Sequence, residues 1–188
     1  MTDVKRRPSL EGVAAAAEAA PKARGLPPVH LWNPENVGQI DIVVQRDGAW
    51  RHEGGIISRE ALVRLFSTVL RKDPDGYWLV TPIEKLKISV EDAPFLAVAV
   101  RQEGEDLVFT TNVGDETRAG PENPIRVETD PATGEPRPYV HVRRGLEARI
   151  NRPVFYELAE LAEDRDGRLG VRSGGAWFDI GASEAAEA

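Results

Sequence analysis

The stretch "IDIVVQRDGAWRHEGGIISREALVRLFSTVLRKDPDGYWLVTP", residues 40–82, decides the fold class. Its first part reads as strand, turn, strand. Alternating apolar residues run into Asp47-Gly48, a pair that supplies the positive backbone angles of a tight hairpin at little steric cost. Ser58 then offers an N-cap oxygen ahead of "REALVRLFSTVLRKD", in which Leu62, Leu65, Phe66, Val69 and Leu70 share one face at helical spacing. "DPDG" ends that helix, and "YWLVTP" followed by "KLKISVED" reads as two more strands. The order is ββαββ.

The same order recurs near the C-terminus. "YVHVRRGLEARIN" is strand, glycine turn, strand; Asn151 and Pro153 cap and start "PVFYELAELAEDRD"; Asp166-Gly167 stops it; "RLGVRS" and "AWFDIG" complete the copy. Gly48 then matches Gly145, Gly76 matches Gly167, and the longer "EGGIISRE" connection of the first copy absorbs the difference in spacing. Between the copies, "FLAVAVRQ" and "DLVFTTNV" form a hairpin turned at "EGED", "GDETRAGPENP" is a loop, and "IRVET" is a further strand. The expected fold class is α+β: two related ββαββ-type units on antiparallel sheets with one helix each, because hairpin connections are too short for parallel crossovers. The expected boundaries are a tail or short alanine-rich helix over 1–27, an N-terminal domain over 28–92, a larger sheet-rich domain over 93–183, and a tail over 184–188. "RGLPPVHLWNPENVGQ" reads as an ordered loop anchored by Leu31 and Trp32.

Composition narrows the function classes. The chain has 188 residues, 41% of them hydrophobic, enough to bury a core. It has no Cys, which removes disulfides, thiol catalysis and thiolate metal sites, and His30, His52 and His141 are too scattered for a His cluster. No cofactor is indicated. A formal charge of -7 disfavours nucleic acid as a partner, although a local basic patch remains suited to one anion. The N-terminus superficially resembles an export signal. Glu11 and Glu18 bracket its alanine run, however, and no segment approaches ~20 continuous apolar residues, so a cytoplasmic protein without membrane contact is expected.

The run "RDGAWRHEGGIISREALVRLFSTVLRKDPDGYWLVTPIEKLKISVEDAPF", with "TNVGDE" and "GLEARINRPVFYEL" downstream, resembles the bacterial family catalogued as domain of unknown function 1285. The resemblance spans about residues 27 to 180 and departs at Gln39, where the family carries an acidic residue. It implies a duplicated α+β core and a C-terminal domain loosely similar to pleckstrin-homology folds. It further implies a nucleotide-like ligand between the domains and a part in signal transduction, and it brings no catalytic residues.

Three polar groupings stand out. In the strand after "LVTP", Leu86, Ile88 and Val90 alternate with Lys85, Lys87, Ser89 and Glu91; the plain reading is a sheet with one wet face, and the functional one has Lys85 and Lys87 present cations to a phosphate or carboxylate in an interdomain cleft. On the first helix, Arg64, Ser67, Thr68 and Arg71 fall on one stripe of guanidinium groups and hydroxyls, whereas the second helix carries Glu157, Glu160, Glu163 and Asp164, a contrast that equally suits a homodimer or protein partner. In "TTNVGDET", Thr111, Asn112, Gly114 and Asp115 allow an anion-binding nest of backbone N–H groups or an ordinary turn.

Enzyme chemistry scores poorly. Asp41, Glu91, Asp92 and Asp115 show no diagnostic spacing, and no nucleophile elbow or Ser-His pair appears. His141 reads as a hydrogen-bonded sheet residue; Tyr77, Trp78, Phe155, Tyr156, Trp177 and Phe178 read mostly as core anchors. The leading expectation is a ligand-sensing or regulatory module that captures a small anionic, nucleotide-like molecule through Arg64, Thr68, Lys85, Lys87 and Arg144, with Thr111, Asn112 and Asp115 as polar contacts. A protein-interaction adaptor and an enzyme of unrecognised type are the alternatives.

Overall fold

The computed structural model describes residues 7–21 and 25–183; the remainder of the two expected tails lies outside the described residues. The chain divides into two units, 1–91 and 92–188.

The first unit comprises α1 (Leu10–Ala19), β1 (Val37–Val44), β2 (Trp50–His52), β3 (Gly55–Ile56), α2 (Glu60–Thr68), β4 (Leu70–Asp73), β5 (Gly76–Val80) and β6 (Lys85–Val90). Alanine gives α1 its helical tendency and Ser9 caps it, its hydroxyl accepting from the Gly12 amide at 3.1 Å. So short a helix needs docking to persist, and α1 buries Val13 and Ala17 and lies against α2. The strands form one six-stranded sheet in the order β3-β2-β1-β6-β5-β4. Ile40, Ile42 and Val44 are buried while Gln39 and Asp41 are exposed, the period-two signature of a sheet covered on one face. Phe66 of α2 stacks on Trp50 of β2 at 6.3 Å between ring centroids, and both rings are fully buried. Full burial of one such ring contributes up to about 3 kcal/mol.

Helix α2 is shorter than its periodicity suggests. It stops at Thr68, and Leu70–Asp73 instead pairs antiparallel with β5. The Ser67 hydroxyl donates to the Arg64 carbonyl and Thr68 to that of Leu65, both at 2.6 Å, competing with the helix's own ladder at its last turn. Arg71 therefore leaves the helical stripe. Arg59, not Ser58, stands at the N-cap, without a side-chain cap bond. In the preceding loop Val29 is the buried anchor, and Leu31 is 67% exposed.

The second unit comprises β7 (Phe95–Glu103), β8 (Asp106–Thr111), β9 (Glu116–Arg118), β10 (Ile125–Thr129), β11 (Pro136–Arg143), β12 (Leu146–Ile150), α3 (Arg152–Glu160), β13 (Glu163–Arg165), β14 (Arg168–Ser173) and β15 (Ala176–Ala182). Asn151 caps α3 by accepting from the Val154 amide at 3.1 Å, as its position suggests. The helix ends at Glu160, so Glu163 and Asp164 belong to β13 and not to its polar face. Tyr156 on α3 is 58% exposed rather than a core anchor.

The described strands group into three-stranded meanders: β1–β3, β4–β6, β7–β9, β10–β12 and β13–β15. The element order meander–helix–meander does occur twice, around α2 and around α3, in keeping with the expected α+β repeat. The copies close differently. In the first, the meanders flanking α2 fuse through a parallel pairing of β1 with β6. In the second, β12 pairs in parallel with β7, giving the order β10-β11-β12-β7-β8-β9, and β13–β15 form a separate three-stranded sheet. The two six-stranded sheets thus share one strand order, each with a single parallel pair. Short hairpins do exclude parallel neighbours in sequence, but the first and last strands of two meanders have a connection long enough to run parallel.

Turn geometry also corrects the glycine matching. Glu53-Gly54, Arg144-Gly145 and Asp166-Gly167 all have positive φ at both residues (48 and 81, 45 and 78, 53 and 80°), as a two-residue hairpin turn of the primed kind requires. Gly145 therefore corresponds in conformation to Gly54 at the β2–β3 corner, not to Gly48.

The larger sheet of the second unit curls into a half-barrel, with the Thr117 hydroxyl of β9 donating to the His141 carbonyl of β11 at 3.0 Å. The small sheet is tied to it by Ser173, fully buried, whose hydroxyl accepts from the Leu107 amide at 2.8 Å and donates to the Ala119 carbonyl at 2.7 Å. Among the described residues no helix is long and apolar enough to cross a membrane.

Candidate functional site

The uncovered face of the first sheet is where the charged strand of the sequence comes to lie. Register places Arg71, Trp78, Lys87 and Gln39 side by side in one row across β4, β5, β6 and β1. Gly76, on the β5 edge of this face, leaves space that Lys87 occupies; a Cβ there would stand 3.3 Å from the Lys87 Cε. Trp78 is buried beneath the two lysines, with the Lys85 ammonium 4.1 Å and the Lys87 ammonium 5.3 Å from its ring centroid.

Most cations of this face already have partners. Asp73 takes Arg71 through two bonds, 2.8 and 2.9 Å, and Lys85 at 2.6 Å. Arg71 further donates to the carbonyls of Val29 and Trp32, fastening the entry loop to β4. The Arg71 guanidinium, followed by Lys85, holds the Asp73 carboxyl below its ordinary range against the opposing effect of burial. A lysine whose ammonium already donates to a carboxylate at 2.6 Å is a poorer receptor for an anion than a free one. Lys87 differs: its side chain is 44% exposed, and its nearest carboxylate, Asp75, stands off at 3.8 Å.

Beside Lys87 the β1–β6 pairing breaks. Gln39 pairs with Lys87 and Val43 with Ser89, so β1 spans Ile40, Asp41 and Ile42 where β6 has only Ile88. The bulge opens a cleft of about 330 Å³ lined by Gln39, Ile40, Asp41, Ile42, Lys87, Ile88 and Ser89. Among the described residues, the side chains of Gln39, Asp41 and Ser89 have no hydrogen-bond or ion-pair partner. Lys87 belongs to the set expected from sequence; Gln39, Asp41 and Ser89 do not, because a bulge leaves no mark on apolar periodicity.

The other expected residues are placed elsewhere. Arg64 is an exposed residue of α2 in a loose ion pair with Glu60 at 3.8 Å, and Thr68 is bonded to its own helix. Thr111, Asn112 and Asp115 share the turn between β8 and β9. There the amides of Thr111, Asn112, Gly114 and Asp115 donate to Asp115, Leu96, Thr111 and the Thr111 hydroxyl respectively. These four amides are thus engaged within the turn and its neighbour strand instead of pointing together at an anion. The Asn112 side chain accepts from the Leu96 amide at 3.0 Å, and Asp115 pairs with Arg143, whose guanidinium lies 5.1 Å from the Phe95 ring centroid. Arg144, next to Arg143, sits exposed at its hairpin corner.

Of the carboxylates weighed for acid–base work, Glu91 accepts from the Arg46 amide and Asp92 from Tyr139 and Arg149. Tyr139 lies between the guanidinium groups of Arg126 and Arg149, 4.3 and 5.3 Å from its ring centroid, and burial followed by Asp92 raises its hydroxyl pKa. His141 is hydrogen-bonded to Asn123 and accepts from the Gly145 amide, as a sheet residue.

Residues 27–93 match the domain of unknown function DUF1285, N-terminal domain, and residues 94–180 match the protein of unknown function DUF1285, C-terminal domain. Two crystal structures of DUF1285 family proteins are similar to the chain. That from Silicibacter pomeroyi DSS-3 is 51% identical, with a TM-score of 0.84 over 94% of this chain and 98% of its own. That from Shewanella baltica OS155 is 24% identical, with a TM-score of 0.51 over 63% of this chain and 90% of its own, a likeness of fold. No curated protein matches.

Proposed function

The chain belongs to the DUF1285 family, and on that premise we propose that it is a binding module, serving a sensing or regulatory role, whose first unit takes one small ligand bearing an anionic group at the break between β1 and β6. The observation that carries the reading is the set of side chains at that break. Lys87 is the half-exposed cation of the row, and Gln39, Asp41 and Ser89 lack partners among the described residues. Unpartnered polar groups converging on a cleft, backed by a rigid sheet, are what selective capture of a small molecule requires. The cleft volume, about 330 Å³, has room for one small molecule.

Binding to the folded state raises apparent stability by mass action, by about 2.7 kcal/mol at a ligand concentration 100 times Kd. The test is a thermal-shift screen of the full chain against nucleotides, inorganic phosphate, carboxylates and amino acids, run in parallel with Lys87→Ala. A compound that raises the wild-type midpoint and fails to raise that of the variant supports the reading. Equal responses of the two proteins to every compound dispose of it.

A further inference from the structure

We infer that the ligand of the β1–β6 cleft is a zwitterion, a free α-amino acid rather than a phosphorylated compound; the inference rests on the binding reading above and names the chemistry of that same site.

The argument is one of charge and polarity across the cleft. Gln39 and Asp41 lie on the β1 wall, and Lys87 and Ser89 lie on the β6 wall. Burial alternates through the bulge, Gln39 and Asp41 exposed with Ile40 and Ile42 buried, so the two polar residues of β1 stay on the uncovered face with Lys87 and Ser89. One wall therefore carries an ammonium and a hydroxyl, and the other carries a carboxylate and a carboxamide, whose oxygen accepts and whose NH2 donates. A carboxylate received by Lys87 and Ser89 leaves Asp41 and Gln39 facing whatever is attached to it, and an α-ammonium satisfies both.

A phosphate finds no such match. Its two negative charges call for a second cation in the lining, yet Lys87 is the one cation there; Lys85 and Arg71 lie outside it and donate to Asp73. The remaining charge in the lining, Asp41, repels it. One cation and one anion in the lining sum to zero, which is the net charge of an α-amino acid at neutral pH. The apolar residues of the lining, Ile40, Ile42 and Ile88, are buried in the sheet and leave the polar groups to select the ligand.

The experiment is differential scanning fluorimetry of the full chain with glycine, L-alanine and L-serine, each at about 10 mM to exceed a weak Kd. Acetate (no ammonium), methylamine (no carboxylate), AMP and inorganic phosphate serve as comparison probes, and wild type, Asp41→Asn and Lys87→Ala are measured side by side. Asp41 is exposed and Asn is nearly isosteric, so the unliganded midpoint of that variant is expected to stay within about 2 °C of wild type. At least one amino acid should raise the wild-type midpoint above any shift given by acetate or methylamine. Asp41→Asn should weaken that amino acid at least about tenfold while leaving acetate unchanged, the loss expected for one hydrogen bond to a charged group. Lys87→Ala should remove both responses. An amino-acid response that Lys87→Ala removes and Asp41→Asn leaves intact overturns the inference, as does a Lys87-dependent response confined to acetate, AMP or phosphate; in both cases the binding reading survives. Absence of any Lys87-dependent response overturns the two together.

Discussion

Asp73→Ala tests the claim that Lys85 and Arg71 are structural cations. The carboxylate removed accepts two bonds from Arg71 and one from Lys85, and the side chains of Arg71, Asp73 and Lys85 are 14, 20 and 18% exposed. Truncating one partner of a buried ionic pair costs about 3–5 kcal/mol, whereas exposed pairs contribute about 0–1 kcal/mol. With less than a quarter of each side chain in water, the expected loss lies near the buried end after screening, at about 2–4 kcal/mol. For a chain of this size that lowers the thermal midpoint by roughly 5–15 °C. Urea unfolding followed by tryptophan fluorescence reads the same quantity, and a cycle with Lys85→Ala isolates the coupling between the two residues. The pH dependence fixes the sign independently. The folded-state carboxyl sits below its ordinary value of 3.8, so its stabilisation is complete above that value and is lost as pH falls through the lowered one. The gap between variant and wild type should therefore be flat from neutrality to about pH 5 and narrow only below about pH 4. A loss under about 1 kcal/mol, or a gap that persists undiminished at low pH, would show that water screens the trio and would return Lys85 to the list of receptors for an anion.

Two further substitutions probe the second unit. Ser173→Ala leaves the Leu107 amide and the Ala119 carbonyl without their buried partner and should cost about 1–3 kcal/mol in urea unfolding; a neutral result would mean the small sheet is not held by this hydroxyl. Gly170→Ala places a Cβ 2.2 Å from the Trp177 ring and must expel the indole from its seat against β14, with a loss of at least about 2 kcal/mol and a changed near-ultraviolet circular dichroism spectrum.

Local pattern and local turns made most of the architecture legible. Phe66 and Leu62 mark the buried face of α2, Asn151 marks the start of α3 and Gly145 marks a hairpin corner, whereas Asp47-Gly48 has positive φ at the glycine alone and the paired turn falls at Glu53-Gly54. What sequence could not show was which strand edges would meet after the helices. The α2 periodicity ran on to Leu70 because residues 70–73 are amphipathic in either conformation, and only pairing with β5 decides for strand. The site was half legible for the same reason. Lys87 could be named from alternation, but the Lys85 ammonium is already bonded to Asp73, a residue twelve positions away that reached it only through the β4–β5–β6 register. Gln39, Asp41 and Ser89 came together through a mismatch in residue count between β1 and β6, three residues against one, which no single strand records.

The shared strand order of the two six-stranded sheets explains why the cleft falls where it does. Each sheet is two meanders joined by one parallel pair, and that join is the place where register is not fixed by a hairpin turn. In the second unit the join is regular: Phe95, Leu96 and Ala97 pair in succession with Ala148, Arg149 and Ile150, and the irregularity moves to the β7–β8 pair between Ala97 and Ala99. The polar residue at that join, Arg149, is held by Asp92 and Tyr139. In the first unit the irregularity falls on the join itself, so no hairpin partner stands ready to satisfy the residues it displaces. Two joins of the same topology therefore differ in one respect: in one the polar residue is bonded within the chain, and the other has an amide, a carboxylate, a hydroxyl and a half-exposed ammonium facing an opening. A solvent-facing polar set without partners in the chain adds little to the stability of the sheet, which is why substitutions there are expected to be cheap.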